Sequence, residues 1–381
     1  MVTTQTHEID SVTLERICEE QGEPFQWLAR ATETLLRPLK SLSGVTEMSI
    51  QSGAMYCGRV REAIVFGKSY VKDSHARAAF AHQSHRNYLP KEFAHYYREQ
   101  VIEEERPRPY IAEECCFLGG YSGDTKFFGH FIYEFLFRLP AFERCGLLDK
   151  FPLAVYEGVP ESWLSFIELF GVPRDRFLKV PHHPAPKFRS VWVTSAPIAA
   201  WIEGYAFWDD GIMAVRRKLL MNAAPAGSVG PKRIFIGRRD TAHRRLLNED
   251  EVWRYLEGQG FNYVEFAGKT AAEQVNLMRS AEIVVAVIGS ATALTHFAPT
   301  DSIIVGILPA HMTGVFGPMG IAAVLGQTYD RLPRAVSGDW PKEGANADFT
   351  VALSDVKQVV EKAIDLKESQ HSASKSLQSP N

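Results

Sequence analysis

His130, Glu134 and Arg138 recur at i, i+4 and i+8, the spacing that places three side chains on one helix face. A histidine beside a carboxylate is an arrangement for general-base chemistry, and Phe127, Phe131 and Phe135 form an apolar stripe next to it. An aromatic surround makes such a carboxylate a better proton acceptor, whereas on a solvated helix the same spacing makes only i, i+4 ion pairs. A second set lies in the run GRRDTAHRR, where Arg238, Arg239, Arg244 and Arg245 follow an apolar stretch. Guanidinium groups match phosphate oxygens in pairs and stay charged at any working pH, so the cluster reads as an anion site, with a solvated charged loop as the alternative. Asp240 could orient one of these arginines. A third set, Gly289-Ser290-Ala291-Thr292-Ala293, has the small residues that let a backbone turn tightly and present N–H groups to an anion.

These sets need elements to hold them. Arg233 to Gly237 reads as a short buried strand before the arginines. Asn248 with Glu251, and Thr270 with Glu273, have capping-box spacing and predict helices ending near Gly258 and about Ser280. Phe261 to Phe266, Glu282 to Ile288 and Ser302 to Leu308 read as strands, and Ser354 to Leu366 as a closing helix. In open parallel sheets the ligand lies beyond the carboxyl ends of the strands, where the arginines and the Gly289 turn both fall. A second alternating pattern comprises strands at Tyr110 to Phe117, Pro152 to Tyr156, Phe177 to Val180 and Val191 to Thr194. Its helices are predicted from Lys126 to Arg144, after the Gly119 to Asp124 loop, and from Glu161 to Phe170, ending at Gly171. Further upstream, helices are expected around Val12 to Glu20 and Gln26 to Leu36. The linker-like run Ala223 to Pro231 separates the two patterns. The resulting domains are an N-terminal α/β domain, 1–222, a C-terminal α/β domain, 223–368, and a disordered tail, 369–381.

With 381 residues and 45% hydrophobic content the chain can bury a core of two-domain size. A net charge of -3 argues against a nucleic-acid partner. The longest apolar stretches fall far short of the roughly 20 residues that span a bilayer, and the first ten residues lack a signal-type apolar core. A cytoplasmic protein with reduced thiols is expected, since the five cysteines form no CxxC pattern. No metal is expected: His75, His82 and His85 lie near one another, but no carboxylate or thiol pattern completes a ligand set. Cys115 and Cys116 read as packing residues on opposite faces of a strand, and His182-His183-Pro184 as a loop. Trp201, Tyr205, Phe207 and Trp208 read as core more readily than as a stacking platform. GxGxxG is absent, which weakens a dehydrogenase reading.

The runs FFGHFIYEFLFRLP (127–140), RIFIGRRDTAHRRLLNEDEVWRYLEGQGF (233–261) and AEQVNLMRSAEIVVAVIGSATALTHFAP (272–299), in that order, resemble glycosyltransferase family 61. The resemblance spans Tyr110 to Pro309, about half the chain. It implies a GT-B fold, α/β with two Rossmann-like domains facing a cleft, and inverting transfer of a sugar from a nucleotide-diphosphate donor. It makes Glu134, or His130 with it, the base for the acceptor hydroxyl, and makes Arg238, Arg239 and Arg245 the holders of the diphosphate. The Gly289 to His296 segment matches a family loop written HGAxLTN, with departures: Ser290 stands for His, Ala291 for Gly and His296 for Asn. The candidate donor-binding set is therefore Arg238, Arg239, Arg244, Arg245, Gly289, Ser290 and Thr292. The donor serves as substrate and no cofactor is implied. The acceptor is expected to be a glycan or a lipid-linked intermediate of surface polysaccharide synthesis, compatible with peripheral membrane contact. Two other functions stay open: a non-catalytic nucleotide-sugar or glycan-binding protein, and a GT-B epimerase acting on the donor itself.

Overall fold

The computed structural model describes residues 14–29, 34–52, 55–66, 70–72, 78–80, 109–119, 127–182, 184–195, 198–199, 206–223, 230–239, 241–309, 317–332, 335–337 and 347–378. The protein is α/β and forms two compact units: Met1–Glu33 with Gln51–Val215, and Thr34–Ile50 with Arg216–Asn381. The division falls inside the helix Asp209–Asn222, and the second unit also takes a segment from the N-terminal part of the chain.

The sheet of the first unit runs Ala78–Phe80, Tyr70–Lys72, Met55–Phe66, Lys187–Thr194, Ala112–Phe117, Leu153–Tyr156, Phe177–Val180, with Phe25–Ala29 also paired to Met55–Phe66. The last four are parallel to one another, and Met55–Phe66 joins them antiparallel through Lys187–Thr194. Numbered along the chain, the four parallel strands stand in the order 3-2-1-4, one half of a doubly wound sheet. The helix Glu161–Phe170 connects the second and third. It stops where Gly171 takes φ 115°, a left-handed conformation open to glycine at no steric cost.

The second unit is built on Arg233–Ile236, Asn262–Tyr263, Ile283–Val287, Ile303–Ile307 and Thr328–Arg331, all parallel and ordered 2-1-3-4-5. Thr34–Ser41 extends this sheet parallel to Thr328–Arg331. Every residue of Ile283–Val287 and Ile303–Ile307 is buried, as the two β-branched runs require in a sheet covered on both faces. Phe235, Val285 and Val305 form a core with Val252 and Leu256 of the helix Glu249–Gly258 and Val356 and Val360 of the helix Leu353–Gln378. At about 25 cal/mol per Å2 of apolar surface, such fully buried side chains are the main stabilising contribution.

Several expectations change. The first helix is Leu14–Gln21, but in place of the helix expected over Gln26 to Leu36 the described residues form the strands Phe25–Ala29 and Thr34–Ser41. Pairing decides this, with Phe25 to Ala29 registered against Gly58 to Met55 and Lys40 against Thr328. The stretch after Phe261 narrows to a two-residue strand. The final helix runs on to Gln378, past the onset of the expected disordered tail. Its serines are accommodated by back-bonding: Ser369, Ser372 and Ser374 hydroxyls donate to the carbonyls of Leu366, Glu368 and Gln370. Lys367 anchors the helix on Asp301 at 2.6 Å. Among the described residues no helix is long and apolar enough to cross a membrane. His75, His82, His85, His183, Trp201, Tyr205, Asp240, the loop 120–124 and the linker residues 224–229 lie outside the described residues.

Candidate functional site

In the first unit, the strand Ala112–Phe117 has its successor Leu153–Tyr156 on one side and Lys187–Thr194 on the other. Its carboxyl end is therefore a topological switch point, the usual place for a ligand. The chain leaves it through Leu118 and Gly119 and enters a helical run, 128–144. One α turn, Phe128–His130, leads to a π segment, Phe131–Phe135, then a 3-10 turn, Leu136–Arg138, and the α-helix Leu139–Arg144. π segments inside helices occur frequently at functional sites. The predicted stripe does not lie along solvent: the His130 side chain is 41% exposed, Glu134 8% and Arg138 is buried. His130 Nδ1 and Glu134 Oε1 are 2.5 Å apart. Phe128 and Phe131 pack on Trp163 at 5.5 and 5.6 Å, which fixes the backbone that carries the pair.

Behind them lies a polar group of residues. Burial lowers Arg138 to about 10, against the attraction of Glu134 and of the Tyr56 and Tyr156 hydroxyls, so its guanidinium stays charged at neutral pH. Burial raises both tyrosines, so they are neutral. Tyr156 stacks on His182 at 3.7 Å. Glu134 thus stands between the buried Arg138 cation and the part-exposed His130 imidazole, whose Nδ1 it bonds.

In the second unit the switch point lies between the strands Arg233–Ile236 and Ile283–Val287, whose carboxyl ends lead into Gly237-Arg238-Arg239 and Gly289-Ser290. The two predicted sets meet here: a Cβ on Gly289 would lie 1.8 Å from Arg238 Nη1. Arg238 is held by donating Nε to the Arg244 carbonyl at 3.1 Å and Nη2 to the His243 carbonyl at 3.0 Å. Burial lowers it to about 10, followed by the charge of Arg244, while Glu249 and Asp348 oppose that shift.

Glu249, not singled out from the sequence, organises this strand end. It is 5% exposed, accepts from the Arg238 N–H at 2.9 Å and from the Tyr263 hydroxyl at 2.5 Å, and lies 3.8 Å from Arg239 Nε. Gly237 leaves room for it, since a Cβ there would meet the Tyr263 hydroxyl and Glu249 Oε1 at 2.1 and 2.2 Å. The only signal in the sequence is an acidic residue in the first turn of the following helix. Asn248 does not form the expected capping box. Its amide bonds Glu251 and clamps Val351 instead, accepting from that N–H at 3.1 Å and donating to that carbonyl at 2.8 Å. Thr270 and Glu273 do form theirs.

The arginines differ in their engagements. Arg239 stacks over Tyr263 at 4.7 Å and bonds Asp250 at 2.6 Å, a partner 82% exposed. Arg245 grips Asp348 through its backbone N–H, Nε and Nη2, which holds the Asp348 carboxyl below its usual range. Arg244 has φ 57° and is lowered by burial. Arg238, Arg239 and Arg245 line one open depression with Leu246, Leu247, Glu249 and Asp250. Thr292 turns inward, its hydroxyl donating to the Gly289 carbonyl at 2.5 Å, and Ser290 opens the 3-10 helix Ser290–Phe297. Among the described residues, no group of three or more His, Cys, Asp or Glu side chains is arranged to hold a metal ion.

Each of the two α/β sheets carries charged side chains at its switch point, the place where open sheets of this kind hold ligands. The glycosyltransferase 61 family model matches residues 128–305, from the helix that bears His130 into the strand Ile303–Ile307. Over that span, a little under half of its length, the chain is similar to glycosyltransferase family 61. No curated protein matches the chain.

Proposed function

We propose that the protein is an inverting glycosyltransferase of GT-B form. It moves a sugar from a nucleoside-diphosphate donor to a hydroxyl of a glycan or lipid-linked acceptor in surface polysaccharide synthesis, at the cytoplasmic side. The observation that carries the donor assignment is the Arg238 guanidinium lying against Gly289 where the first and third strands of the second unit end. Arg239 exchanges its exposed partner Asp250 for phosphate oxygens while the Tyr263 ring supports its guanidinium. Arg245 is tied to Asp348 and shapes the loop, and Arg244 sets its backbone turn.

His130 Nε2 removes the acceptor proton, and Glu134 orients the ring and stabilises the imidazolium that forms. The acceptor oxygen attacks the anomeric carbon on the face opposite the diphosphate. As the bond to the leaving oxygen breaks, the configuration inverts and the arginines meet the developing charge. Guanidinium groups supply that positive charge, so the reading calls for no metal ion.

Calorimetry of UDP, GDP, CMP, dTDP and their sugar conjugates against the wild type and Arg239→Ala tests this. One nucleotide class should bind, and the variant should bind it at least about tenfold more weakly, as expected for a charge-assisted contact. Equal affinity in the two proteins would remove Arg239 from the site. A second reading, a binding protein without turnover, draws support from the carboxylates that already occupy Arg239 and Arg245 and from the Ser290 and His296 departures. Acceptor-dependent release of nucleoside diphosphate distinguishes transfer from mere binding, and a changed sugar released without acceptor would indicate an epimerase.

A further inference from the structure

Four of the five cysteines are fully buried, and Cys145, just past the helix Leu139–Arg144, is half-buried. This helix packs against the strand Met55–Phe66. Ala141 shares a buried cluster with Met55 and Trp208, and Cys145 follows Ala141 by one helical turn. Gln26 is the cross-strand partner of Cys57, so their side chains share a face, and Cys145 Sγ bonds Gln26 Oε1 at 3.5 Å. The Cys145 and Cys57 thiols hydrogen-bond to each other.

We propose that Cys145 and Cys57 form a peroxide-oxidisable dithiol, with Cys145 as the attacking thiol and Cys57 as the resolving one. The Cys145 thiolate attacks one oxygen of a hydroperoxide, the O–O bond breaks, and the departing oxygen leaves as water or alcohol after protonation. The Cys57 sulfur then attacks the Cys145 sulfenic acid, the S–O bond breaks, and a second water leaves with the Cys57 proton. The peroxide takes two electrons from the pair, and one S–S bond forms.

The division of roles follows from the surroundings. The hydrogen bond from Cys57 holds the Cys145 thiol below the usual range, against a weaker upward push from burial. Cys57 is raised by that same bond and then by burial, so it stays a thiol until a sulfenic acid is presented to it. Burial raises Cys18, Cys115 and Cys116 as well, and Cys18 is occupied in donating to the Arg59 carbonyl at 3.2 Å. The product would staple the end of the helical run that carries His130 and Glu134 to the strand Met55–Phe66.

Full-length native protein is treated with dilute hydrogen peroxide, quenched with N-ethylmaleimide in denaturant and mapped by peptide mass spectrometry. The expected product is a Cys57–Cys145 linked peptide pair, about 2 Da lighter than the two thiols and reversed by dithiothreitol. Iodoacetamide without peroxide should label Cys145 at least about tenfold faster than the other four. In Cys57→Ala, dimedone should trap the sulfenic acid at Cys145. Cys145→Ser tolerates its half-exposed position and should yield no disulfide, so the wild type and this variant suffice if Cys57→Ala does not fold. Recovery of all five cysteines as maleimide adducts would overturn the proposal, as would a disulfide that joins Cys115, Cys116 or Cys18.

Discussion

Acidification should destabilise this protein through one ring, His296. It is 1% exposed on the 3-10 helix Ser290–Phe297, against Phe297 at 4.9 Å, and Arg216 Nη1 donates to the backbone carbonyl of His296. Burial, and after it the Arg216 charge, lower its pKa from 6.5 to about 3. The folded pKa lies below the unfolded one, so between these values the unfolded chain binds the proton and the folded one does not. The ring's contribution is complete above the unfolded pKa and is lost as pH falls toward the folded pKa. Integrated from about pH 7.5 to about pH 5, the loss is about 2 kcal/mol. Urea unfolding followed by tryptophan fluorescence at both pH values, for the wild type and His296→Asn, measures it. Asparagine does not titrate, so the variant should lose about 2 kcal/mol less over the same interval. Asp301 and Asp348, held low by Lys367 and Arg245, titrate below this window and alike in both proteins. Equal losses in the two proteins would refute the linkage argument.

Gly289→Ala has ordinary extended backbone to occupy, φ -174°, but its methyl group would displace Arg238; calorimetry should show nucleotide affinity falling about tenfold with little change in melting temperature. Glu134→Gln keeps the shape of the His130 contact without its charge, and kcat should fall by about 10^2 to 10^4 while donor affinity holds; unchanged turnover would remove Glu134 from the mechanism. Asn248→Ala loses both bonds to Val351 and should cost about 1–3 kcal/mol in chemical denaturation, with no cap loss to add.

Legibility followed the range of the forces involved. Thr270 with Glu273, Gly171 after Phe170 and the β-branched runs at Ile283 and Ile303 act within a few residues, so their elements could be read directly. Gln26 to Leu36 misled because its apolar residues suit a helix or a strand, and partners far along the chain chose the strand. The helix Asp209–Asn222 was missed, although Gly211 sits where a Cβ would strike the Trp208 ring at 2.1 Å, so these residues are matched in packing. Asn248 had the spacing of a cap, yet the strand Phe349–Val351 took its amide.

The residue types of the site, a histidine with a carboxylate one turn on, an arginine cluster at a strand end and a small-residue turn, were fixed by sequence alone, because each is a local pattern. Tertiary structure decided that the stripe turns inward to Arg138, that Arg238 rests on Gly289, that Glu249 ties the strand end together and that Cys145 meets Cys57. Each of those contacts joins segments whose separation is set by strand order and helix register, and side-chain chemistry along the chain carries no information about either until the sheets have formed.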